Sequence, residues 1–530
     1  MAASPSGSAS APGPAPHDPG GFSSVLDPAG IPPEPPPPEF ADPLATDLNL
    51  GVLVERLLKG REEYDLGVFF RAPPTSLETV RYRQAVALDL ADPPIRSIVI
   101  EFAHRFRESR ADFQRAAKRY HPLQQARWML SALSRYHAAV VGLDEGLSAA
   151  PIRSDAFRAL REYVREYRRS PSHRALGLEI QQLDAALSRI QYLIAIRGRR
   201  VTVSPYRGEV DYAARIDATF ARFERAAEKE YRFSLPQGAD TNPVEGQILD
   251  CVAMRFPEAF ARLRALAAGG LARIDPVLKR FDREAQFFLV WQELVDRLAA
   301  QGLACALPEL DPSGREVEVR DAFDVVLAAF PPSKATRVVT NDFRLSPPEQ
   351  FLVVTGPNQG GKTTFARTFG QVFHFARLGL AVPARGSRLP FVDRVYSHFG
   401  REERPGSERG RLQDDLLRLR AIQERATSSS VVVLNESFGS TSSGDAVAIG
   451  RAVLADLAQR GVIGVCVTFL DELSRLGPAT VSVVAGVEPN DPRVRTFRIE
   501  RRPADGRAYA VALAEQHGLG YAELRRRVAS

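Results

Sequence analysis

The sequence predicts a multidomain α plus α/β chain, a helical core followed by a C-terminal α/β domain. Three observations carry this expectation. Apolar residues recur at three- and four-residue steps from about 48 to 305. From about 306 the texture changes to short apolar runs alternating with helical segments. A glycine-rich stretch at 356–363 sits between one such run and a helical pattern.

Taken in order, residues 1–47 hold 13 of the 39 prolines, with Pro35-Pro36-Pro37-Pro38 in a row. So little apolar surface is expected to leave a disordered tail, because burial cannot offset the entropy of ordering it. Residues 48–305 read as a helical domain. In 155–167, Phe157, Leu160, Tyr163, Val164 and Tyr167 share one face, while Arg158, Arg161, Glu162, Arg165 and Glu166 lie opposite. The same period runs through 176–195, 212–230 and 256–300. Residues 199–204 alternate between Gly198 and Pro205 and read as a strand, within a small insertion at about 196–250. In the domain at 306–530, the runs 351–355, 430–434 and 462–468 have the continuous apolar character of buried parallel strands.

Composition narrows the classes further. The 530 residues suffice for three or four domains at ~150 residues each. Three cysteines without CxxC spacing exclude a disulfide framework and a thiolate zinc site, and point to a reducing cytoplasm. No apolar run approaches the ~18 residues of a membrane span, and the N-terminus lacks the pattern of a secretory signal. The net charge is +6, from 70 Lys and Arg against 64 Asp and Glu. Residues 1–50 carry six acids and no Lys or Arg, so the remainder carries +12. Of the 70 basic residues 64 are Arg, which suits phosphate contacts but also fits a GC-rich coding bias. The eight histidines show no HExxH spacing, no Ser/His/Asp arrangement stands out, and no metal beyond Mg²⁺ is expected.

The strongest motif is Gly356-Pro357-Asn358-Gln359-Gly360-Gly361-Lys362-Thr363, which fits GxxxxGK[ST] between a strand and a helix. Its glycines let backbone N–H groups close around phosphates. Lys362 brings a point charge to the β- and γ-phosphates, Thr363 offers a hydroxyl to Mg²⁺, and the helix N-terminus adds a favourable field. The run 431–434 then ends in Asn435 and Glu436. In P-loop ATPases this strand end usually carries an Asp for Mg²⁺ and a Glu that polarises the attacking water. Asn435 accepts a hydrogen bond from a Mg²⁺-bound water without bringing charge, and Glu436 remains the candidate general base. ATP and Mg²⁺ are the expected ligands.

The narrower pattern, Gly356 through Thr364 followed by Asn435-Glu436-Ser-Phe-Gly-Ser-Thr-Ser-Ser443, resembles the ATPase domain of the MutS family of DNA mismatch-repair proteins. The segments 380–384 and 392–395, Asn341 ahead of 345–347, the stretch from Asp505 to Gly518, and 69–84 also resemble family segments. The resemblance implies a helical lever/clamp core followed by a C-terminal ABC-type P-loop ATPase domain. It implies a homodimer with ATP sites at its interface, double-stranded DNA as partner, and a role in DNA repair or recombination with other repair proteins. Asn341 and Val338 fall where the family contacts the nucleotide base. The departures are several. Only the Pro-rich tail precedes the core, so no mismatch-reading domain is expected. Asn435 replaces the usual Asp, Phe469 the His that senses the γ-phosphate, and Gly410 falls near the signature-loop Ser. Hydrolysis is therefore expected to be slow.

Arg197, Arg199, Arg200 and Arg207 cluster about the predicted strand, where relatives grip the DNA backbone, and are the candidate DNA contacts. The Arg-rich face of 153–169 reads as solvated. Residues 401–411, charged and punctuated by Gly and Pro, read as a mobile loop near the nucleotide. Two other readings remain open: an ATP-dependent remodelling factor for ribosomes or branched nucleic acid, and a weakly hydrolysing ATP-binding regulator.

Overall fold

The computed structural model describes residues 21–198, 200–209, 215, 243–333, 336–400, 410–438, 441–488, 491–504 and 525. Its helices are α1 (Pro38–Asp47), α2 (Leu50–Leu57), α3 (Gly67–Arg71), α4 (Leu77–Ala91), α5 (Pro93–Ala117), α6 (Pro122–Ala149), α7 (Asp155–Arg169), α8 (Pro171–Ser188), α9 (Pro243–Arg255), α10 (Pro257–Gly269), α11 (Pro276–Ala299), α12 (Val325–Ala329), α13 (Lys362–Leu378), α14 (Arg411–Arg425) and α15 (Ser443–Gln459). Two compact units emerge. One comprises Met1–Phe22, Ser97–Pro151 and Ala159–Asp282; the other comprises Ser23–Arg96, Ile152–Arg158 and Arg283–Ser530. These divisions differ from the expected ones at 47/48 and 305/306. Three of the five fall inside α5, α7 and α11, where the apolar period runs on.

The first unit is helical, with one hairpin. Its core gathers Phe102, Phe106, Leu133, Tyr136, Leu160, Tyr163 and Leu266, all buried. Phe106 meets Tyr136 edge to face at 5.9 Å. The buried phenol of Tyr136 lies 2.8 Å from that of Tyr167 and accepts the Asp275 backbone N–H, so the aromatic core is cross-linked by polar tips. Asp112, fully buried on α5, accepts from Ser131, Arg115 and Arg135, which satisfies a charge that burial alone would make prohibitive. The hairpin pairs β1 (Tyr192–Arg197) with β2 (Arg200–Pro205) antiparallel, Arg197 opposite Arg200. Of the strand expected at 199–204, residues 200–204 are strand and 199 lies outside the described residues, but 192–197 is strand as well and the helix stops at Ser188. Val203 is the buried residue on β2, and the pairing with 192–197 depends on that partner strand rather than on local period.

The second unit is α/β. Its main sheet has the order β12-β11-β6-β10-β9-β8, formed by β6 (Phe351–Thr355), β8 (Arg394–Phe399), β9 (Ser430–Asn435), β10 (Ile463–Val467), β11 (Thr480–Glu488) and β12 (Asp491–Arg501). All neighbours are parallel except β11 and β12. β6, β9 and β10 are buried at every position, which is why they read as unbroken apolar runs. A four-stranded sheet joins β3 (Glu309–Asp311), β7 (Gly386–Pro390), β4 (Val317–Ala322) and β5 (Asn341–Leu345).

Residues 21–47 correct the expectation of a tail. Residues 1–20 lie outside the described residues, but Val25 and Leu26 are buried and α1 packs on β8. Ser24 Oγ and the Val25 N–H donate to Glu284, and Arg83 donates to the Leu26 carbonyl. Phe40 meets Tyr396 edge to face at 5.4 Å, and Ser397 donates to Asp47. Each buried apolar side chain contributes roughly 2 kcal/mol, against about 1–2 kcal/mol per ordered residue. A few anchors therefore hold a segment whose average composition reads as unfoldable, because the groups that receive them lie up to hundreds of residues away.

Candidate functional site

The glycine-rich loop joins β6 to α13 by three left-handed residues, Gly356 (φ 112°), Gln359 (φ 59°) and Gly361 (φ 90°). A Cβ on Gly356 would lie 3.0 Å from the Ala485 nitrogen and 3.1 Å from its oxygen, so the loop is pressed against β11. A Cβ on Gly360 would come within 3.0 Å of the Pro357 oxygen. Gly361 stands at the N-cap of α13, with Lys362 the first helical residue.

Lys362 is 5% exposed. Its Nζ donates to the Gly356 carbonyl at 2.8 Å and the Pro357 carbonyl at 2.9 Å. The Phe469 ring centroid lies 4.5 Å from the same nitrogen. Burial pushes the ammonium down to about 8; the Glu436 carboxylate pulls it up and Arg495 pushes it down. Thr363 Oγ1 donates to Asn435 Oδ1 at 3.1 Å, across from helix to strand end. Glu436 follows in a left-handed conformation (φ 52°), its N–H donating to the Val467 carbonyl, while the Asn435 carbonyl accepts from the Gly400 N–H. Left-handed backbone at a glutamate costs on the order of 1–2 kcal/mol and is held here by bonds on both sides.

A cavity of about 680 Å³ opens over this loop. Asn358, Gln359, Gly360, Gly361, Lys362, Thr363, Thr364 and Glu436 line it, and so do Val338 and Asn341. Asn435 lies behind Thr363. Asn341, expected near the base, is also engaged with β12. Its Nδ2 donates to the Phe497 carbonyl at 3.1 Å and its Oδ1 accepts from the Ile499 N–H at 2.7 Å, so its amide is held by β12.

The bulge that Asn341 braces supplies a residue that sequence reasoning missed. Ala485 pairs with Ile499 and Val487 with Arg495, so three residues of β12 oppose Gly486 alone. Phe497 sits at the apex with φ 57° and lines the cavity. Val338 offers only apolar contact, and Phe497 is an aromatic beside the loop. Its Cδ1 lies 3.5 Å from where a Gly361 Cβ would stand. Nothing in the local sequence marks it, because the bulge arises from the register with β11. Phe469 is likewise an aromatic of the site, 55% exposed on the segment after β10. His398, Ser437 and Asp415, which no spacing in the sequence singles out, meet beside Glu436.

Arg197, Arg200 and Arg207 are exposed on or next to the hairpin of the first unit, and Arg199 lies outside the described residues. Gly410 caps α14 and is exposed, whereas 401–409 and the closing stretch 505–518 lie outside the described residues. Among the described residues no cluster of three or more His, Cys, Asp and Glu is arranged for a metal, and no helix is long and apolar enough to cross a membrane.

Residues 352–519 match the family model MutS domain V. The chain is 33% identical over 193 residues to Endonuclease MutS2 of Thermus thermophilus, covering 36% of this chain and 25% of that protein. It is 30% identical over 291 residues to DNA mismatch repair protein MutS of Anaeromyxobacter sp. (strain Fw109-5), covering 52% and 31%. To DNA mismatch repair protein MutS 1 of Halobacterium salinarum it is 29% identical over 261 residues, 46% and 30%. The chain thus spans a quarter to a third of the length of these relatives. The matched region encloses the loop, Lys362, Asn435 and Glu436 described above, so it is in this part of the chain that the similarity to MutS domain V lies.

Proposed function

We propose that this chain is an ATP-dependent DNA-binding protein of the MutS type, acting in repair or recombination in the cytoplasm. Its ATP sites are completed by homodimerisation, and ATP binding and slow hydrolysis drive a clamp on double-stranded DNA. One observation carries the reading: a cationic Lys362, a Thr363–Asn435 pair and Glu436 converge on one cavity at the end of a parallel strand. Phosphates would meet the N–H groups of 358–364 and the Lys362 ammonium, while the base would rest between Val338 and Phe497. Glu436 holds the acceptor position for a proton of an attacking water.

Mg²⁺ fits the donor set. Thr363 and Asn435 present hard oxygens 3.1 Å apart, and both are neutral, which suits a cation carried in by the nucleotide and held partly through water. When bound it would neutralise phosphate charge. Arg197, Arg199, Arg200 and Arg207 would contact DNA phosphates without sequence preference.

Two measurements test the reading. ATP turnover by the wild type must exceed that of Glu436→Gln by at least tenfold; equal rates sink the enzyme assignment. Fluorescence anisotropy with labelled duplex DNA at low salt must show binding that changes with ATP; no affinity in either state sinks the DNA assignment.

A further inference from the structure

One buried polar cluster has no place in the nucleotide site as described. His398 on β8 is completely buried, Ser437 is 3% exposed and Asp415 on α14 is 5% exposed. Ser437 Oγ donates to the His398 carbonyl at 2.9 Å, so a lone pair of that oxygen faces His398 Nδ1, also at 2.9 Å. This assigns the proton to Nδ1. Nε2 lies 3.2 Å from Asp415 Oδ1, a close contact that lacks hydrogen-bond geometry but sets the imidazole directly against the carboxylate of α14. The burial of all three groups excludes a nucleophilic serine that meets substrate. Ser437 immediately follows Glu436, whose left-handed backbone needs its flanks held. The other flank is fixed from β8 too, by the Gly400 N–H on the Asn435 carbonyl. Asp415 sits in the first turns of α14, which starts directly after residues 401–410. One imidazole therefore spans the helix that carries that loop and the turn that carries the candidate general base.

We infer that His398 is a positioning residue that ties Asp415 of α14 to Ser437, and so sets the placement of Glu436. This rests on the ATPase reading above and names a further residue of the same site. Displacement of α14 moves Asp415, and through His398 the Glu436 turn, without touching the phosphate loop. The link therefore acts on hydrolysis and leaves nucleotide affinity alone.

The test uses the full chain, with a fluorescent ATP analogue for affinity and phosphate release for turnover. Ser437→Ala removes the hydroxyl with little change in volume, and Ser437→Thr retains it. His398→Asn keeps a donor near the Nδ1 position and drops the Asp415 contact. Ser437→Ala and His398→Asn are expected to lower kcat about tenfold, with the analogue's Kd within twofold of wild type. Ser437→Thr is expected to stay within threefold of wild type in both. Should His398→Asn fail to fold, the two Ser437 variants decide the matter. Wild-type turnover in Ser437→Ala overturns the inference, and so does a loss of affinity that matches the loss of turnover. A wild type that does not bind the analogue, or that turns over no faster than Glu436→Gln, instead overturns the ATPase reading itself.

Discussion

Replacing Phe469 by Ala is expected to tighten ATP binding. Two of the three N–H bonds of the Lys362 ammonium are committed to the Gly356 and Pro357 carbonyls, and the Phe469 ring takes the remaining side at 4.5 Å. A phosphate oxygen must displace the ring to reach the charge. The ring is 55% exposed, which places the cation–π contact near the weaker end of its range, about 1 kcal/mol. Releasing it corresponds to about fivefold in Kd. Phe469→Leu, apolar but without a π face, should tighten binding as well. The same titration across pH carries a second signature. Lys362 is held down to about 8, so its cationic form is lost as pH rises through that value. Affinity should therefore fall above pH 8, by up to about tenfold per unit. In Phe469→Ala, where water reaches the ammonium, the fall should move to higher pH. A variant that binds the nucleotide no more tightly than wild type, with the fall at the same pH, refutes the reasoning.

Asn435→Asp adds a charge beside Thr363 and is expected to lower the Mg²⁺ concentration for half-maximal turnover several-fold, as a Mg²⁺ titration will read. Arg197→Ala, Arg200→Ala and Arg207→Ala combined should lower the slope of log affinity against log salt on duplex DNA by about 2–3, with no change in ATP affinity. Acid should weaken the helical unit. Burial, then His137, then Arg168, hold the His173 imidazole down to about 4. It stays neutral when folded but binds a proton when unfolded below about 6.5, so its contribution is full above that value and is lost as pH falls toward 4. Unfolding free energies from urea titrations at pH 7 and pH 5 should differ by up to about 2 kcal/mol, and His173→Phe should reduce the difference.

The legible parts of the molecule share one property: their structure is decided by chain neighbours. The glycine-rich loop reads from the sequence because strand, glycines, lysine and helix are contiguous, and left-handed backbone at 356 and 361 calls for glycine there. The buried strands β6, β9 and β10 read as well, since each is covered on both faces and carries apolar side chains throughout. Local period also marks the face of α7 that buries Phe157, Leu160 and Val164.

Other features were decided by partners far along the chain. Residues 21–47 are proline-rich and polar on average, yet Glu284, Arg83 and Tyr396 receive them. β1 needed β2 before 192–197 became strand. Phe497 enters the cavity only because β12 slips three residues against one on β11, with Asn341 bracing the bulge. His398, Ser437 and Asp415 come from three elements and carry no common spacing. The sequence by itself therefore determined the glycine-rich turn between β6 and α13 and the buried parallel strands, which depend on short-range backbone geometry. Only the tertiary structure decided which aromatics face the cavity, what holds Glu436, and how the N-terminal segment is anchored. Those depend on register and packing between distant segments, where the free energy belongs to the pair and neither partner alone reveals it.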